Sequence, residues 1–293
     1  MFALSKIFVA ALMLVGTPAA IGAHTAHAEP IKDRVLEEGR ITIGIHNRAP
    51  WGFRTEAGEV AGFHPDMIEA VLGPVGIDKV EFVVMDFGAL IPSLLARRID
   101  VVASGMAITP VRCEQVVFSD PDLAIGDGVL VKADNPLNIH SYADIAANPQ
   151  IRLGGGRGSS NTENALKAGV PETQLQQFQS VEAGVAALLA GRIDAATYSS
   201  ATAISVLKDP NIKGIERATP FTGLVENGRE AANYAAIAFR PEDTALRDLY
   251  NESLRERKAD GTVDTIMAKY DFTSAEAAPE GLTARELCPD NYR

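Results

Sequence analysis

A nine-residue string that recurs 94 residues downstream constrains this chain more than any other feature. Leu94-Leu95-Ala96-Arg97-Arg98-Ile99-Asp100-Val101-Val102 is echoed by Leu188-Leu189-Ala190-Gly191-Arg192-Ile193-Asp194-Ala195-Ala196. Each copy reads as a helix end, a basic turn, an Ile-Asp step and a strand. An echo of this kind is what two lobes of like architecture leave behind. A common helix-to-strand turn arising twice is the plainer reading of one short match.

The surrounding periodicity favours the two-lobe reading. Arg40 to Ile45 reads as a strand, and Pro65 to Leu72 as a helix with Met67, Ile68, Val71 and Leu72 on one face. Val80 to Val84 is a second strand, Phe87 to Ala96 a second helix, and Val101 to Ala103 a third strand. That βαβαβ order implies a parallel sheet covered by helices. After the second copy of the unit come a strand at Ala235 to Phe239, an amphipathic helix at Thr244 to Lys258, and a further helix ending at Tyr270. These have no third sheet to complete, so they are expected to return to the first lobe. The expected class is therefore α/β, two-lobed, with a double hinge crossover and a ligand cleft between the lobes. The boundaries expected are 29–123 for the first part of lobe 1, 124–218 for lobe 2, and 219–293 for the return to lobe 1 and the tail.

The first 28 residues read as an export signal. Lys6 and the amino terminus supply positive charge, Ile7 to Gly16 an apolar core, and Ala26-His27-Ala28 a small-x-small cleavage site. Cleavage is expected after Ala28. A buried N-terminal helix or a single anchor is the competing reading, but the apolar core is too short to span and Pro18 breaks it. Export favours a disulfide between the two cysteines, Cys113 and Cys288, with two unpaired thiols as the other reading. His46, His64 and His140 lack ligand spacing, so no metal site is expected. A net charge of −11 and a pI near 5.0 argue against nucleic acid and anionic membrane surfaces as partners.

Catalytic signatures are missing. The chain holds no G-x-S-x-G elbow, H-E-x-x-H, S-x-x-K or Walker loop. Gly154-Gly155-Gly156-Arg157-Gly158-Ser159-Ser160 lacks the phosphate-loop ending, but as a glycine turn before a helix it can bring backbone donors to an anion. Ser159 or Ser160 would cap that helix, and a plain glycine-rich turn is the alternative. Ser104 to Arg112 follows a buried strand, where ligands of open α/β sheets bind. Arg112 can fork onto a carboxylate there, or pair with a surface acid. Trp51, the only tryptophan, lies in the loop Asn47 to Phe53 and reads either as an aromatic wall for a ligand or as packing beneath the loop. Phe87 is a further candidate wall, with core packing as its alternative.

With these residues in this order, the chain resembles the bacterial extracellular solute-binding proteins of family 3, which serve ABC importers for amino acids and related zwitterions. The resemblance rests on Gly62 to Met67, Ser104 to Arg112, Phe118-Ser119-Asp120-Pro121, Arg192-Ile193-Asp194 and Leu246 to Tyr270. It implies that Arg112 grips a ligand carboxylate, that the Gly105 backbone touches the ligand, and that Ser159 marks the second-lobe helix start. Ala107 stands where amino-acid binders often have Thr, and Ser199 where they often have the Asp that takes an α-ammonium group. Phe87 to Pro92, Pro110 to Cys113, Lys167 to Pro171 and Glu286-Leu287-Cys288 resemble the ectoine-binding subgroup, which also carries both cysteines. That likeness implies an aromatic box with Trp51 and Phe87 as two walls, Ala107 in place of a third, and Asn47 in place of a Glu. The expectation is a periplasmic, monomeric, non-enzymatic binding protein without a cofactor. It would bind a small carboxylate-bearing zwitterion, an ectoine-like compound or an amino-acid derivative, and deliver it to ABC permease subunits. The alternatives are an ordinary polar amino-acid binder, a cyclohexadienyl-dehydratase-like enzyme on the same fold, or a sensory partner protein.

Overall fold

The computed structural model describes residues 31–226, 229–274 and 276–293. The export segment and its cleavage site lie outside the described residues. The first part of the chain supplies strands β1 (Arg40–Ile45), β2 (Phe53–Arg54), β3 (Val60–Ala61), β4 (Lys79–Val84), β5 (Val101–Ala107), β6 (Val117–Phe118) and β7 (Leu123–Ile125). Next come β8 (Asp127–Lys132), β9 (Leu153–Gly156), β10 (Leu175–Phe178), β11 (Ala195–Ser199) and β12 (Ile215–Arg217). A short hairpin of β13 (Val225–Glu226) and β14 (Arg229–Glu230) precedes β15 (Asn233–Phe239).

Two sheets result. One has the order β4-β1-β5-β15-β6, with β7 also paired to β15; the other runs β10-β9-β11-β8-β12. The chain passes from the first sheet to the second through Gly126 alone, because β7 ends at Ile125 and β8 begins at Asp127. It comes back between β12 and β15, which inserts antiparallel against β5. The core covers both faces of each sheet, as buried mainly parallel sheets require. Leu246, Tyr250 and Leu254 of the long helix Thr244–Ala259 join the first-lobe core. The architecture is thus two-lobed α/β with two crossings.

The repeated string does the same work in both lobes. In the first, Asp100 N–H donates to Thr42 O at 2.7 Å and its carboxylate accepts from Thr42 N at 3.0 Å. In the second, Asp194 N–H donates to Arg152 O at 2.8 Å and its carboxylate accepts from Arg152 N at 2.9 Å. A Cβ on Gly44 would lie 2.3 Å from Ile99 Cδ1, and one on Gly154 would lie 2.4 Å from Ile193 Cδ1. Each Ile-Asp step therefore seats its isoleucine over a glycine and pins its aspartate to the residue two positions earlier.

One local expectation changes. The run Gly154-Gly155-Gly156 is strand β9 itself, not a loop. Its glycines serve close packing: a Cβ on Gly155 would meet Thr162 Oγ1 at 2.3 Å. Only Arg157 and Gly158 form the turn before Ser159, the N-cap of helix Ser160–Lys167. Cys113 and Cys288 form a disulfide, which ties the C-terminal segment beside Arg112.

Candidate functional site

A small cavity opens where the two lobes meet. Arg48, Trp51 and Phe87, together with Gly105 and Ala107, line it from the first lobe. Ser159, Ser160, Asn161 and Ser199 line it from the second, and Asn233 and Ala235 from the returning strand. The carboxyl end of β5 delivers Gly105 and Ala107, and the short helix Pro110–Cys113 follows, with Thr109 Oγ accepting from Arg112 N. That cap turns Arg112 inward, where it is 6% exposed. Its guanidinium donates to Ala107 O at 2.7 Å and, across the lobe boundary, to Gly158 O at 2.8 Å.

Trp51 is also held from both sides. Its indole N–H donates to Thr202 Oγ1 at 3.2 Å and lies 3.4 Å from Ser199 Oγ. Its ring is 2% exposed, with Phe63, His64 and Phe272 around it. Gly105, at φ +63°, is the residue that admits the ring: a Cβ there would lie 2.3 Å from Trp51 Cδ2. The Gly105 amide donates to His64 Nδ1 at 2.6 Å, which leaves the His64 proton on Nε2, 3.1 Å from Asp122 Oδ2.

Of the residues expected from sequence, the cavity lining brings together Trp51, Phe87, Gly105, Ala107, Ser159, Ser160 and Ser199. Arg112 is not among the lining residues; its guanidinium carbon lies 5.4 Å from the Phe87 ring centroid, next to the cavity. Asn47 is not among the lining residues; its Oδ1 accepts from Arg54 N at 2.7 Å in an exposed turn. Ser199 spends its hydroxyl on capping helix Ser200–Leu207, accepting from Thr202 N and donating to Thr202 Oγ1. Ser159 is the N-cap residue but makes no side-chain cap; its hydroxyl donates to Asn161 Oδ1 at 3.3 Å.

Sequence reasoning missed Arg48, Asn161 and Asn233. Arg48 is 9% exposed, and its guanidinium carbon lies 5.1 Å from the Phe87 centroid. Burial, and then the neighbouring Arg112 charge, bring its pKa down to about 10. Burial also lowers Arg112, opposed by Glu163. Asn161 and Asn233 both donate to the buried carboxylate of Asp127, which also accepts from Asn164 and the Leu224 amide. Burial raises the Asp127 pKa against those hydrogen bonds. Asp127 stands directly opposite Ser199 in the β8–β11 register, behind the amides that line the cavity.

Comparison with known proteins gives a consistent pattern. The family profile described as bacterial extracellular solute-binding proteins, family 3, matches residues 41–274. The chain is 36% identical over 259 residues to a probable amino-acid ABC transporter periplasmic-binding protein, y4tE, of Sinorhizobium fredii, covering 87% of this chain and 85% of that one. It is 26% identical over 276 residues to the octopine-binding periplasmic protein of Rhizobium meliloti, covering 80% and 90%. The crystal structure of EhuB in complex with hydroxyectoine superposes with a TM-score of 0.79 at 30% identity, covering 87% of this chain and 96% of that one.

Proposed function

Because this chain belongs to the bacterial extracellular solute-binding proteins of family 3, we propose that it closes on a small carboxylate-bearing zwitterion and hands it to ABC permease subunits. The lobes of that device are read as residues up to 125 together with those from 233 onward, and the segment 127–217 between the two crossings. The observation that carries the proposal is Arg112, buried between the lobes with its guanidinium resting on Ala107 O and Gly158 O. Carbonyl oxygens are neutral acceptors, and a ligand carboxylate gives the same fork a charge-assisted bidentate partner. Ser159, Ser160 and Asn161, at the start of helix Ser160–Lys167, offer polar contacts from the opposite lobe.

Between the two ligand classes, the amino-acid derivative is favoured over the ectoine-like ring. A delocalised cation needs a free aromatic face, and two guanidinium groups already lie over Phe87. Trp51 offers little, since its ring is taken up by Phe63, His64 and Phe272. Asn47 turns away from the cavity.

The test is thermal melting and Trp51 emission against ectoine, hydroxyectoine, proline betaine and the twenty amino acids. A saturable response that disappears in Arg112→Ala is expected. A response that survives in Arg112→Ala would remove the carboxylate assignment, and turnover of prephenate or arogenate would move the protein to the enzymes.

A further inference from the structure

Resting on that reading of the cleft, we infer that Arg48 is a second anion-binding group, so that the ligand carries two acidic groups and a net negative charge. Among the described residues, the Arg48 side chain has no hydrogen-bond or ion-pair partner, and its Nε is buried without an acceptor. Arg112 makes no ion pair either; its two hydrogen bonds go to carbonyls. Among the described residues no Asp or Glu lines this cavity; Arg48 also borders a more open groove whose lining includes Glu182 and Asp209, neither of which pairs with it.

The acids nearest by charge do not compensate. Glu163, which acts on Arg112, is half-buried, and neither it nor the exposed Glu182 beside the Arg48 loop is within ion-pair distance of either guanidinium. Asp127 accepts from three asparagine amides and a backbone N–H behind the cavity lining, and it makes no ion pair with either guanidinium. Arg48 keeps its proton at neutral pH, since its pKa is still about 10. The cleft region therefore holds two buried guanidiniums that no carboxylate of the described residues pairs with.

Buried charges call for partners. A ligand with one carboxylate and one ammonium group satisfies Arg112 and brings a third cation next to Arg48. A ligand with two carboxylates answers both guanidiniums, while Asn161 and Asn233 remain as neutral partners for its amine. Both guanidinium carbons lie within 5.4 Å of one ring centroid, so the two acidic groups belong on one small molecule, a few bonds apart. The class that fits is an amino-acid derivative with a second carboxylate, either on its side chain or on an N-carboxyalkyl substituent.

Calorimetric titration with matched pairs tests this. The pairs are asparagine and aspartate, glutamine and glutamate, and arginine and its N-(1-carboxyethyl) derivative. In at least one pair the acid should bind roughly ten- to hundredfold more tightly than its partner. Arg48→Met should bring the two members of that pair to within a few fold, and Arg48→Lys, which keeps the charge, should restore part of the preference. Equal or tighter binding of the less acidic member, or a preference unchanged in Arg48→Met, overturns the second anion site. Binding of ectoine or proline betaine with no response to any acid overturns it too, but leaves the cleft as a binding site. Silence toward every compound removes the reading of the cleft and this inference with it.

Discussion

A guanidinium buried without an acceptor holds its proton less firmly in the folded chain than in the unfolded one, and that difference is a cost to folding. For Arg48 the folded value is about 10. The gap to a free arginine corresponds to roughly 3 kcal/mol, which the stacking on Phe87 offsets by about 1 kcal/mol. The sign follows from proton binding. Below pH 10 both states hold the proton, so the whole penalty is present at neutral pH. It is relieved only as pH climbs through 10, where the folded state releases its proton first. Arg48→Met should therefore raise the stability of the ligand-free protein by about 2 kcal/mol at pH 7, with the gain shrinking above pH 10. Urea unfolding at several pH values measures it, and a less stable variant at pH 7 would show that Arg48 is an ordinary structural contact. Nothing in the sequence marks Arg48 as buried. It sits in a loop with no periodicity, and its environment comes from Phe87 and Tyr198, 39 and 150 residues away. Trp51 stands out as the one tryptophan in that loop, yet its packing against Gly105 depends on a backbone conformation that composition does not reveal.

At the level of elements, the Ile-Asp step links each helix end to a parallel strand of its lobe, at β1 in the first and at the start of β9 in the second, and the two copies differ in what else they hold. Asp100 accepts from Thr42 N, pairs with Arg34 at 2.6 Å, and stands 3.7 Å from Arg240, which is 1% exposed. Asp194 accepts from Arg152 N and pairs with the same arginine's side chain, half of which is in solvent. Removing a partner of a buried charge costs more than removing one that water can replace. Asp100→Ala should cost about 2–4 kcal/mol and Asp194→Ala about 1 kcal/mol, read as the shift in urea midpoint. Equal losses would mean that the backbone hydrogen bond, common to both, carries the effect. This is also where the sequence was most readable. The recurring string, the strand Arg40–Ile45 and the helix after Asp243 are all visible in hydrophobic spacing. The Gly154–Gly156 strand was not, because glycines chosen to let Thr162 and Ile193 approach look the same as glycines chosen for a turn.

Across the whole molecule, the two crossings leave the lobes joined by a few polar contacts, and in the proposed closing mechanism these set how readily the cleft closes. Arg112 reaches Gly158 O, Gln179 Nε2 lies 3.3 Å from Asp86, Lys208 pairs with Asp271, and the Trp51 indole donates to Thr202. That the chain crosses twice follows from the surplus of elements after the second unit, a count that sequence supplies, whereas contacts across the boundary depend on how the two lobes meet. A ligand closes the cleft only through its stronger interaction with the closed state, so each interlobe bond contributes to apparent affinity without touching the ligand. Thr202 is fully buried and its hydroxyl is the nearer acceptor of the Trp51 N–H, so Thr202→Val removes one such bond while keeping shape. A net loss of about 1 kcal/mol corresponds to roughly fivefold weaker binding. The emission of Trp51 in the saturated protein should change with it, since the indole loses its main partner in the closed cleft. Thr202→Ser should restore both. If Thr202→Val binds with wild-type affinity and unchanged saturated emission, this hydrogen bond plays no part in closure and the energetic link between the lobes must run through Arg112 instead.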